Sequence, residues 1–155
     1  MIRVATIGTS GITACMLDAL SNVEGTVFVG TLSRGRQRAA AFTSEHGGTT
    51  PFTSLGELAA SDEVDAVYIG SPNALHHDQT LACIAGGKHV IVEKPFCANR
   101  REAAEVFEAA RDAGVVALEA MRPLHDPAFH AIKEALPQIG AIRRATLRFG
   151  KYSSR

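Results

Sequence analysis

Ile2-Arg3-Val4-Ala5-Thr6-Ile7-Gly8-Thr9-Ser10-Gly11-Ile12-Thr13 passes from a short apolar run, through a glycine-bearing turn, into residues with helical spacing. A strand covered on both faces reads as such a run. A strand that turns on glycine straight into a helix opens a βαβ unit, and a phosphate group can rest there on backbone N–H groups and the helix N-terminus. Matched to G-x-G-x-x-G from Gly8, the second glycine is Ser10 and the third is Thr13. Serine leaves room for a phosphate and adds a hydroxyl donor, and threonine is still small at a helix–strand contact. A turn that merely reverses the chain has a similar composition, so the stretch gains meaning only beside the remaining sequence.

Residues 14–155 repeat the pattern. Thr26 to Leu32, Ala66 to Ile69, His89 to Val92 and Val115 to Leu118 are further apolar runs. Between and after them, Thr13 to Ser21, Arg36 to His46, Asn73 to Ala85, Arg101 to Ala113 and Pro127 to Leu136 carry apolar residues at three- and four-residue spacing. Gly86, Gly87 and Gly114 fall where helix C-termini favour glycine. Leu55 to Ala59 reads as a short helix capped by Ser54. The alternation predicts an α/β fold: a three-layer, doubly wound parallel sheet of Rossmann type with helices on both faces. Ala141 to Tyr152 breaks the rhythm, reading as a long strand with no helix behind it. Such a strand must find a partner in the sheet, in a further domain or in a second chain, so homo-oligomerisation through it is expected.

Composition excludes several classes. The 155 residues are 46% hydrophobic and 21% charged, with a formal net charge of zero, as in an ordinary soluble globule. That balance gives no reason to expect nucleic acid, and the Arg and Lys residues near the C-terminus suit an edge strand. No run approaches the roughly 20 apolar residues of a membrane span, and Arg3 interrupts the N-terminal apolar run; no membrane partner and a cytoplasmic location are expected. Cys15, Cys83 and Cys97 form no C-x-x-C pair, and His76 and His77 point about 100° apart on a helix. No metal site is expected.

The remaining chemistry gathers at strand ends. After Thr26 to Leu32, where an NAD-preferring fold places an acidic residue for the ribose hydroxyls, stand Ser33-Arg34-Gly35-Arg36, with Arg38 beyond. Serine and a guanidinium accept a 2′-phosphate that a carboxylate would repel, so NADP is favoured over NAD. After Ala66 to Ile69 come Gly70-Ser71-Pro72-Asn73 and His76, small residues that let a cofactor ring approach, with Asn73 a cap for the next helix. After His89 to Val92 come Glu93-Lys94-Pro95, charges that either face water or face a cleft, since leaving them buried and unpaired is costly.

Together these segments resemble the Gfo/Idh/MocA oxidoreductases, and the likeness spans the whole chain. It rests on Ile7 to Thr13, Ser33-Arg34, Ser71-Pro72-Asn73 with His76, and Gly87 to Pro95. Glu119-Ala120-Met121-Arg122 and Gly140-Ala141-Ile142 with Phe149 to Tyr152 resemble the dihydrodiol dehydrogenase branch. The resemblance implies NADP(H)-dependent hydride exchange with a hydroxyl or carbonyl carbon of a sugar-, inositol- or diol-like small molecule. It implies Lys94 as the catalytic residue, donating a proton or stabilising negative charge on the substrate oxygen. Gly8, Thr9, Ser10, Gly11, Ile12, Ser33, Arg34, Arg38, Ser71, Pro72, Asn73, His76, Glu93, Lys94, Pro95 and Arg122 become the expected cofactor-binding set. Glu93 would orient Lys94 or the nicotinamide ribose, and Pro95 would fix the turn through a cis bond.

By the same resemblance, residues 1–120 form the NAD(P)-binding Rossmann domain and 121–140 a connecting helical segment. Residues 141–155 then look like the first strand of a second, substrate-binding domain that the chain does not contain. Three readings stay open: the cofactor-binding part of an oxidoreductase, a non-catalytic nucleotide-binding or interaction module of the same fold, or a Rossmann-like domain that binds no cofactor.

Overall fold

The computed structural model describes residues 1–150. Its first compact unit, Met1–Ala120, is built on five parallel strands: β1 (Ile2–Ile7), β2 (Thr26–Leu32), β3 (Ala66–Ile69), β4 (His89–Val92) and β5 (Ala117–Glu119). Their spatial order is β2-β1-β3-β4-β5. A single parallel bridge from Leu32 to Phe52 adds the remnant of a further strand outside β2, completing the Rossmann sequence of neighbours on that side. The helices are α1 (Gly11–Leu20), α2 (Arg36–Glu45), α3 (Leu55–Ala60), α4 (His76–Ala85) and α5 (Arg100–Ala113). The chain moves outward from β1 to β2, then returns to β1's other side and moves outward again. Right-handed crossovers place the helices of the two excursions on opposite faces.

Burial explains the apolar runs. Val67, Ile69, Val90 and Val92 have no exposed surface, and Phe52, Leu58 and Val106 close over them from flanking segments. Each such side chain contributes ~1.5–3 kcal/mol of transfer free energy. Polar residues inside the sheet are paired. The Thr6 hydroxyl donates to Thr31 Oγ1 at 2.7 Å, and the Thr31 N–H donates to Thr43 Oγ1 at 3.0 Å.

Three expectations need correction. The last strand is β5 (Ala117–Glu119), not Val115 to Leu118, because Val115 still belongs to the helix exit: its N–H reaches back to the Ala110 carbonyl at 3.0 Å, past Gly114 at φ 69°. Asn73 caps no helix. It begins a 3-10 turn, Asn73–Leu75, and neither that turn nor α4 has a side-chain cap at its start. Finally, residues 141–150 form no strand; a strand's backbone groups need a neighbouring ladder, and these residues have none. The end of that expected strand, residues 151–152, lies outside the described residues.

The second unit, Met121–Arg155, contains a 3-10 turn at Arg122–His125, helix α6 (Pro127–Ala135) and a 3-10 turn at Leu136–Ile139. Asp126 caps α6 by accepting the Ala128 N–H at 2.8 Å. Among the described residues no helix is long and apolar enough to cross a membrane.

One ion pair ties β1 to the approach of β3. Asp65 accepts the Arg3 main-chain N–H at 2.8 Å and the guanidinium at 2.6 and 2.9 Å. Hydrogen bonding to Arg3 holds the Asp65 carboxyl well below the usual carboxylate range. A carboxyl lowered in the folded state adds stability above its ordinary pKa and loses it as pH falls through the lowered value. Asp65→Asn is therefore expected to reduce urea resistance near neutral pH, with the gap to wild type closing in acid. A gap that does not change with pH would count against this.

Candidate functional site

The reversal of strand order puts the ends of β1 and β3 side by side, where ligands of open α/β sheets bind. Gly8 is indispensable to that approach. Its φ is 106°, and a Cβ there would stand 2.7 Å from the Gly70 carbonyl oxygen. Gly70 answers the same demand, since its Cβ would meet Thr13 Oγ1 at 2.7 Å. Beneath the turn, the Thr31 hydroxyl lies 3.1 Å from the Gly8 carbonyl and 3.2 Å from that of Thr6.

A cleft of about 400 Å³ opens from this point. It is lined by Gly8, Thr9 and Ser10 from the first turn, by Ser33, Arg34 and Arg38 after β2, and by Ser71 and Pro72 after β3. Ser10 precedes α1 without capping it; its hydroxyl lies 3.1 Å from Thr13 Oγ1. The first N–H groups of α1 thus have no side-chain acceptor and remain available to an anion. α2 also starts without a side-chain cap or an acidic residue in its first turn. Cationic Arg34 and Arg38 are exposed along this side.

Three more polar lining residues were not among the expected site residues: Thr53, Ser54 and Gln79. Ser54 accepts the Glu57 N–H at 3.1 Å, and Glu57 Oε2 accepts the Thr53 N–H at 3.0 Å, a reciprocal box that fixes the start of α3. The Ser54 cap was legible; its place on the cleft was not, because long-range pairing of residues 49–52 with β2 brings it there. Gln79 accepts the Ser71 hydroxyl at 2.5 Å, one helical turn into α4.

The other expected residues of the first unit do not line this cleft. Gly11 and Ile12 are exposed in the first turn of α1, and Asn73 is exposed beyond Pro72. His76 is wholly buried, its two ring nitrogens facing main-chain carbonyls, so it cannot touch a ligand in the cleft. Arg122 opens the first turn of the second unit.

Glu93, Lys94 and Pro95 form a corner after β4, joined by a cis Lys94–Pro95 peptide. Glu93 does not hold the Lys94 ammonium. One carboxylate oxygen accepts the Tyr68 phenol at 2.7 Å and the other accepts the Lys94 main-chain N–H at 3.2 Å. Lys94 itself is exposed, and no ion pair among the described residues includes it. Glu119 Oε1 accepts the Phe96 N–H at 3.0 Å, linking the corner to β5. Tyr68 had a signal in the sequence: a phenol inside a buried apolar strand requires a polar partner.

Burial first, and then the Glu93 carboxylate, push the Tyr68 phenol far above the usual tyrosine range. An alkaline absorbance titration is expected to show one late-ionising tyrosine that Tyr68→Phe abolishes. Glu93→Gln should lower that late step only in part, because burial is the larger cause. A Tyr68 that ionises normally would contradict the corner.

Known proteins resemble this chain in sequence and architecture. The chain is 44% identical over 155 residues to a scyllo-inositol 2-dehydrogenase (NADP(+)) of Bacillus subtilis, covering all of this chain and 47% of that protein. It is 39% identical to a 1,5-anhydro-D-fructose reductase of Ensifer adhaerens, over 93% of this chain and 43% of that one. It also superimposes on the 3-ketoreductase KijD10 of Actinomadura kijaniata, solved with TDP-benzene and NADP, with a TM-score of 0.84 and 34% identity. That match covers 88% of this chain and 43% of the other. The chain spans about half the length of the curated relatives it matches. Residues 2–121 match the family described as "Oxidoreductase family, NAD-binding Rossmann fold". The chain therefore belongs to the Gfo/Idh/MocA oxidoreductase family.

Proposed function

We propose that this chain binds NADP(H) in the cleft between β1, β2 and β3, and that it supplies the cofactor half of a dehydrogenase or reductase acting on a polyol- or sugar-like molecule. The observation that carries the reading is the cleft lining: a glycine turn too close to β3 for any side chain, with Ser33, Arg34 and Arg38 on the same wall. NADP is named in the B. subtilis relative and was bound in the KijD10 crystals. Both support the same choice over NAD.

The residues present fit the cofactor. The uncapped start of α1 with Gly8, Thr9, Ser10, Gly11 and Ile12 would receive the pyrophosphate, whose charge suits a helix N-terminus. Ser33 and the Arg34 guanidinium would take the 2′-phosphate through charge-assisted hydrogen bonds, with Arg38 beside them. Ser71 and Pro72 would form the wall against which the rest of the cofactor lies. When bound, the nicotinamide supplies the acceptor or donor of a hydride.

Lys94 is the residue we assign to proton transfer. Its Nζ would donate a proton to a carbonyl oxygen during reduction, or take one from a hydroxyl during oxidation. Glu93, fixed by Tyr68, sets the main chain of Lys94 through the N–H bond and leaves the ammonium free for that task.

Binding and chemistry can be tested separately. In fluorescence titrations, Arg34→Ala is expected to weaken NADPH by about 10- to 100-fold, the worth of a charge-assisted hydrogen bond, and NADH much less. Equal losses would overturn the 2′-phosphate assignment. With scyllo-inositol and NADP+, Lys94→Ala is expected to lower turnover by about 10²- to 10⁴-fold while NADPH affinity holds. Unchanged turnover would remove Lys94 from the chemistry.

A further inference from the structure

His76 opens α4, yet none of its surface is exposed. Its Nδ1 lies 2.9 Å from the Pro95 carbonyl oxygen, and its Nε2 lies 3.0 Å from the Ser71 carbonyl oxygen. The main-chain carbonyl of His76 accepts the Thr80 hydroxyl at 2.6 Å. One imidazole therefore spans two loops with different tasks. Ser71 belongs to the cleft wall after β3, and its hydroxyl is engaged by Gln79. Pro95 follows Lys94 in the corner after β4.

We propose that His76 is a positioning residue that fixes the spacing between the cofactor cleft and Lys94, acting through the Ser71 and Pro95 carbonyls and never touching a ligand. The inference rests on the cofactor reading given above. It assigns the ring's two ends to separate effects: the Nε2 contact holds the cleft wall, and the Nδ1 contact holds the Lys94 corner. Carbonyl oxygens only accept, so the ring donates at both ends at once only when both nitrogens carry hydrogen, and at one end in either neutral tautomer.

Two near-isosteric substitutions separate the ends. An asparagine amide nitrogen takes the place of Nδ1, and a glutamine amide nitrogen takes the place of Nε2. His76→Asn should keep the Pro95 contact and lose the Ser71 contact; His76→Gln should do the reverse. In the full chain, each is examined by NADPH fluorescence titration and by the rate at which an amine-reactive reagent labels Lys94, read by peptide mass spectrometry.

The expected result is a crossed pattern. His76→Asn weakens NADPH by about 3- to 10-fold, the worth of one hydrogen bond, with Lys94 labelling at the wild-type rate. His76→Gln changes Lys94 labelling by a similar factor, with NADPH affinity retained. Variants that are alike in both measurements, or that show the reverse pattern, overturn the assignment. If either variant fails to fold by circular dichroism, the wild-type chain with ¹⁵N-labelled histidine decides. NADP+ should move the His76 ring resonances through the Ser71 carbonyl, and resonances that stay in place overturn the proposal. Failure of the wild type to bind NADPH would instead sink the functional reading itself.

Discussion

Everything at the candidate site depends on how closely the backbone leaving β1 approaches the backbone leaving β3. With a Cβ at Gly8 placed 2.7 Å from the Gly70 oxygen, only glycine allows the two strand ends to meet. That contact puts the uncapped start of α1 beside Ser71 and Pro72, and it makes the cleft a property of two loops instead of one. The threonines beneath it, Thr6 and Thr31, satisfy the polar groups that such a close approach would otherwise bury unpaired.

The fold was legible because its strands are short, apolar and buried on both faces, so that local sequence and global position agree. The errors arose where that agreement ends. Val115 is apolar and β-branched, but its N–H is already bound to the end of α5, which delays the strand. Residues 141–150 alternate like a strand, and alternation cannot by itself supply a neighbour for the ladder.

At the site, residues that act through their own backbone turn were visible, and residues that act across the fold were not. Gly8, Ser10, Arg34 and Ser71 announce themselves by lying just beyond strand runs. Gln79 reaches the cleft only through tertiary neighbours and no local pattern marks it, while Glu119 stood in a family-like segment that gave no sign of its bond to Phe96. His76 was visible for its position, but nothing in the sequence shows that its ring is buried between the Ser71 and Pro95 carbonyls.

The reciprocal Thr53–Ser54–Glu57 box bears on kinetics as well as geometry. Because those hydrogen bonds are made between neighbours along the chain, this rim of the cleft is finished without help from a ligand. A rim held by its own local bonds loses less loop-ordering entropy on association than one that must fold around its visitor. Residence time at the rim is then governed by the contacts the visitor makes and breaks, and not by the refolding of the wall that holds it.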